Sequence, residues 1–156
     1  MARSQFSMSC DMRELFETSL GTAPNYSTYY VLGHFHAWGT SFRLSFVDED
    51  GSERVIVDNA NVAGDPLGIT IDPPMHSEGA AALGMTCGYN NDTENTLRWG
   101  NNALSEMCQF LAYTEVPIKM AAFSREPLVD MGMSEDDEFL WDTPCGDSLF
   151  GIKVSE

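Results

Sequence analysis

Two of the three histidines in this 156-residue chain stand in one triplet, His34-Phe35-His36. On a β-strand, residues two apart point to the same face, so both imidazoles would converge while Phe35 packs the other way. A same-face pair of neutral imidazoles is a way to offer two nitrogen donors to a metal ion. The same pair is equally common as ordinary surface or core residues, so the triplet alone decides nothing. A second segment with chemistry to offer is Glu106-Met107-Cys108. If Met107 lies on a strand, its thioether faces one side and Cys108 the other. Methionine is usually core filler, and this chain has nine.

The elements that must carry these residues read as all-β. Thirteen glycines and seven prolines punctuate short apolar runs, and no regular alternation of strand and helix appears. Residues 11–20 form the best helix candidate. Strands are expected at Tyr29–Trp38, Ser41–Val47, Glu53–Val57, Gly68–Ile71, Ala81–Tyr89, Thr96–Trp99 and Met107–Val116. Asp48-Glu49-Asp50-Gly51 makes a hairpin turn. Beyond Ala121 the pattern alternates loops and short apolar pieces, and the acidic run Ser134–Glu138 reads as a solvated loop. The expected fold is a single domain over residues 1–156, a two-sheet antiparallel β-sandwich or jelly roll.

Composition narrows the partners. Lysine plus arginine total 8 against 24 acidic residues, a formal charge of −16. No basic patch is available for nucleic acid or for an anionic membrane surface. No run of eighteen apolar residues exists to span a membrane. The opening MARSQFSMSC lacks the apolar stretch of a signal peptide, so the chain is read as a mature fragment or a piece of a longer protein. Four widely spaced cysteines, Cys10, Cys87, Cys108 and Cys145, fit two disulfides and an oxidising compartment, secreted or periplasmic. Four free buried thiols are the alternative. No CxxC pair is present, which argues against a zinc ribbon or a thioredoxin-type site.

The segments HFHAWG (34–39), TCGYN (86–90), WGN (99–101) and EMC (106–108) occur in that order. Taken together they resemble the C-terminal domain of the copper type II, ascorbate-dependent monooxygenases, the family of the peptidylglycine α-hydroxylating and dopamine β-monooxygenases. The resemblance spans Val31 to Tyr113. It implies an antiparallel jelly roll of eight or more strands, with one copper ion held by His34, His36 and Met107 on a sheet face. It implies a Cys87–Cys108 disulfide beside the metal, and makes Cys10–Cys145 the second bridge. In that family reduced copper binds dioxygen and a C–H bond is hydroxylated, with ascorbate or another reductant supplying electrons. Glu106 is the family's acidic residue before the methionine and is expected to orient a loop.

The chain also departs from that pattern. The family's second copper takes three histidines from an N-terminal domain, and only His76 remains here. A partner copper domain or a reductase would have to supply that function. Peptide-processing members carry an arginine two residues before the first histidine, where this chain has Leu32. They carry an asparagine and a tyrosine after the methionine, where it has Gln109 and Leu111. The substrate that resemblance implies is therefore left open. Gln109 and His76 are possible outer partners of the site, and His76, in the Asp72–His76 loop, is most simply an exposed or capping residue. A copper carrier without hydroxylase activity, or a metal-free interaction domain, would share most of these features.

Overall fold

The computed structural model describes residues 2–60, 67–98, 100, 105–115 and 118–151. In chain order they form β1 (Ala2–Asp11), α1 (Met12–Leu20), β2 (Ser27–His34), β3 (Gly39–Asp48), β4 (Glu53–Ala60), β5 (Leu67–His76) and β6 (Ala80–Asn91). There follow β7 (Gln109–Thr114), β8 (Ile118–Ser124), β9 (Val129–Met133), β10 (Phe139–Asp142) and β11 (Cys145–Gly151). Two sheets result, in the orders β4-β3-β6-β1-β10-β9 and β11-β8-β7-β2-β5. The expected all-β sandwich is what the chain forms. Its strand pairs are antiparallel except β1 with β10. Among the described residues no helix is long and apolar enough to cross a membrane.

Alternation explains the core. From the six-stranded sheet Met8, Phe42, Leu44, Leu83, Met85 and Cys87 turn inward, and from the five-stranded sheet Val31, Phe110, Ala112, Met120 and Ala122 meet them. One end of this core is closed by α1. Asp11 caps the helix by accepting from the Glu14 amide at 2.9 Å, and Gly21 ends it with φ 68°. Its buried face carries Met12 and Phe16, and the Phe16 ring stacks on Tyr26 at 5.2 Å. The helix was legible because its cap, its apolar spacing and its terminal glycine are all local.

Several sequence expectations need correction. β2 stops at His34, so Phe35 and His36 lie beyond the strand rather than on it. β7 begins at Gln109, so Met107 precedes the strand. Residues 96–98 are not a strand; Trp99 and Asn101 lie outside the described residues, as does Val116. His76 is not in a loop but ends β5, opposite Ser27. β5 is the free edge of its sheet, which is where prolines 73 and 74 can be carried by a strand. Residues 2–11, given no element in the sequence reading, form β1, which pairs with both β6 and β10.

Both disulfides of the sequence reading form: Cys10 to Cys145 and Cys87 to Cys108. Cys10–Cys145 ties the end of β1, an interior strand of the six-stranded sheet, to the start of β11 in the other. Cys87–Cys108 closes a shorter loop, 21 residues in separation, and fixes the chain entering β7 to the inner face of β6. By loop-closure entropy the shorter bridge contributes roughly 3 kcal/mol. A Cys87→Ser/Cys108→Ser double variant is expected to lose about that much in urea unfolding. A loss under about 1 kcal/mol would mean the 105–108 segment is held in place without it.

Candidate metal centre

The two histidines meet where β2 ends. Their ring centroids lie 5.2 Å apart at an interplanar angle of 75°. His34 closes the strand opposite Gln109 of β7. His36 stands in the turn that follows, where Gly39 donates its amide to the His36 carbonyl at 3.2 Å. Phe35, between them, is fully buried. Its ring occupies the space where a Cβ on Gly39 would stand, so the glycine three residues after His36 is required by packing. The strand-to-turn change at Phe35, rather than strand alternation, sets the relative attitude of the two imidazoles.

The segment 105–107 is bracketed onto this turn. The Glu106 carboxylate is buried and accepts the amides of His36 and Trp38, at 2.8 Å each. The backbone of Ser105 accepts from His36 Nδ1 at 2.6 Å, with the proton on that nitrogen. A carbonyl can only accept, so this contact selects the Nδ1–H tautomer and leaves Nε2 with its lone pair. The Glu106 amide in turn donates to the Arg98 carbonyl at 2.8 Å. Met107 is buried at 9% exposure, and its carbonyl accepts from the buried Tyr89 hydroxyl. Cys108 turns inward to Cys87. Glu106 thus holds the turn through two backbone amides. Tyr89 is a core residue whose hydroxyl also anchors residue 107.

Electrostatics favour a neutral donor. Burial depresses the pKa of His34; the neighbouring His36 lowers it further, and Glu106 partly offsets both. In the metal-free fold His34 therefore resists protonation, whereas the unfolded imidazole takes up a proton near its ordinary pKa of about 6.5. The unfolded state then binds more protons as pH falls past that value, so stability declines until the folded imidazole also titrates. Metal-free protein is expected to lose stability from pH 7.5 to 5.5, and a His34→Gln variant to lose less. Identical pH dependence of their urea midpoints would show that His34 is not so perturbed.

Other candidates fall away from this point. His76 pairs with Ser27 at the far end of β2, seven residues and roughly 23 Å from His34 at strand rise. Its Nδ1 accepts from the Glu78 amide at 3.1 Å and its carbonyl accepts from Arg54 at 2.8 Å, which is a structural role. Gln109 is half-buried beside His34 in the ladder. Trp38 donates its indole N–H to Asp92 at 3.0 Å, a packing contact at the sheet end. Among the described residues no group of three His, Cys, Asp or Glu side chains gathers anywhere. A three-donor site at the His34–His36 pair would need a thioether or an exogenous ligand.

No family model matches this chain, and no curated protein or solved structure matches it either. What defines it is the fold itself, a disulfide-stapled β-sandwich, with a paired-imidazole turn bracketed by a buried carboxylate at one end.

Proposed function

We propose that the chain is a mononuclear copper domain, with His34, His36 and Met107 as ligands, related in role to the oxygen-binding half of the copper monooxygenases. One observation carries this: Ser105 and Glu106 clamp the 105–107 segment onto the His34–His36 turn while leaving His36 Nε2 free to donate. Met107 lies in that clamped segment, between Glu106 and the Cys108 bridge. Burial that keeps His34 neutral suits a nitrogen ligand. The donor set fits the metal, since two imidazoles and a thioether are soft enough for Cu(I) and too few in oxygen for a hard cation.

When bound, copper would supply the dioxygen chemistry for C–H hydroxylation, with electrons from ascorbate, another reductant, or a partner copper domain or reductase. The protein's part is to hold two ring nitrogens in fixed attitude. The His36 tautomer is set by Ser105, the turn by Glu106, and the following chain by the disulfide and by Tyr89. Two disulfides in one small domain support a secreted or periplasmic setting.

A second reading is a copper carrier without turnover: His76 is the one histidine outside the pair, and it stands opposite Ser27 at the far end of β2. Titration of the reduced protein against a chromophoric Cu(I) chelator tests the copper site, with one equivalent retained per chain expected. Failure to compete with the chelator at any ratio would sink both readings. Oxygen consumption by the loaded protein with ascorbate then separates them, since a carrier holds Cu(I) without sustained uptake.

A further inference from the structure

The end of the sandwich opposite α1 is open. Ala2, Ser4 and Phe6 continue the inward-facing row of β1 that buries Met8 and Cys10 deeper in, and there they line a cleft of about 1080 Å³ between the sheets. Its floor is aromatic. Phe6 stacks on Trp141 at 6.2 Å and 17°, and Tyr89 meets Phe6 edge-on at 5.5 Å. Met107 and Cys108 lie on one wall. A concave apolar surface of this size is a ligand site by its shape and chemistry.

Its charges are the second observation. In a chain of net charge −16, cations are scarce and carboxylates claim them. Arg3 pairs with Glu138, Arg13 with Glu49, Arg43 with Glu53 and Asp58, and Arg54 with Asp48. Arg98 and Arg125 make no ion pair among the described residues, and both line this cleft. Arg125 lies over the Phe123 ring at 6.0 Å, an arrangement that keeps the guanidinium edge available. Glu94 and Glu126 also line the cleft, and among the described residues neither is ion-paired with Arg98 or Arg125. Glu106, the remaining carboxylate of the lining, is committed to the amides of His36 and Trp38.

We infer that this cleft binds a small aromatic carboxylate, the ring lying against Phe6, Tyr89 and Trp141 and the carboxylate taken by Arg98 and Arg125. A planar anion matches a guanidinium fork, and a flat apolar body matches a stacked aromatic floor. The inference stands on the cleft alone and is independent of the metal reading, so it is tested on metal-free protein.

The probe is 2-naphthoate, followed by calorimetry and by quenching of tryptophan fluorescence. Its neutral and cationic isosteres, 2-naphthalenemethanol and 2-naphthylmethylammonium, are the comparison arms. Naphthoate is expected to bind at least tenfold more tightly than either, and an Arg98→Gln/Arg125→Gln double variant to lose that preference. Both arginines are exposed, so the variant should fold, and a thermal melt checks it. Should it not fold, the isostere comparison on the unaltered protein decides. Equal binding of the three probes, tighter binding of the cation, or no binding of naphthoate at millimolar concentration overturns the inference.

Discussion

Replacing Met107 with isoleucine is expected to lower Cu(I) affinity by on the order of 100-fold or more, while leaving Cu(II) affinity nearly unchanged. Substitution of a partner one shell removed from a metal already costs roughly 10–100-fold, and the direct loss of a ligand should exceed that. The asymmetry between oxidation states is the informative part. A thioether contributes to the soft, reduced ion, whereas the oxidised ion draws on imidazole nitrogen and water oxygen. Met→Ile nearly conserves volume, so at this buried position the fold should lose less than about 1.5 kcal/mol. His34→Ala, in contrast, removes a nitrogen and should weaken both oxidation states. Chelator competition for Cu(I) and spectroscopic titration of Cu(II) give the two affinities. An unchanged Cu(I) affinity in Met107→Ile would remove the methionine from the site and leave only a histidine pair.

The parts legible in the sequence were those written over short distances. The α1 cap and stop, the β3–β4 hairpin with its Gly51 turn at φ 82°, and the histidine triplet could each be read from a few adjacent residues. β1 was not legible, because Phe6, Met8 and Cys10 alternate with serines, and a serine-rich row has the texture of a loop. Its strand character comes from pairing with β6 along ten residues, a tertiary effect no local propensity records. The aromatic cleft was hidden for the same reason. Phe6 and Trp141 face each other only because β1 and β10 pair in parallel, with these two residues in register. At the candidate metal centre the residue types were visible, and so was the carboxylate of Glu106. The partners of its two oxygens were not, because they depend on where β2 gives way to the turn.

That bracket makes Glu106 the residue whose loss should cost the fold most near the site. Its two oxygens accept two backbone amides of one turn from a buried position. Charge-assisted bonds of this kind contribute roughly 2 kcal/mol each, and truncation leaves two amides without an acceptor. Glu106→Ala is therefore expected to destabilise the protein by about 4 kcal/mol in urea unfolding. Glu106→Gln should recover no more than half of this, because its amide nitrogen would present hydrogens to one of the two N–H groups, a donor facing a donor. Metal affinity should fall alongside stability in both variants, since the turn that fixes His36 relative to His34 loses its brace. If Glu106→Ala unfolds within about 1 kcal/mol of the unaltered protein, the turn is held by Phe35 packing against Gly39 instead. The carboxylate then contributes charge to the histidine pair rather than shape.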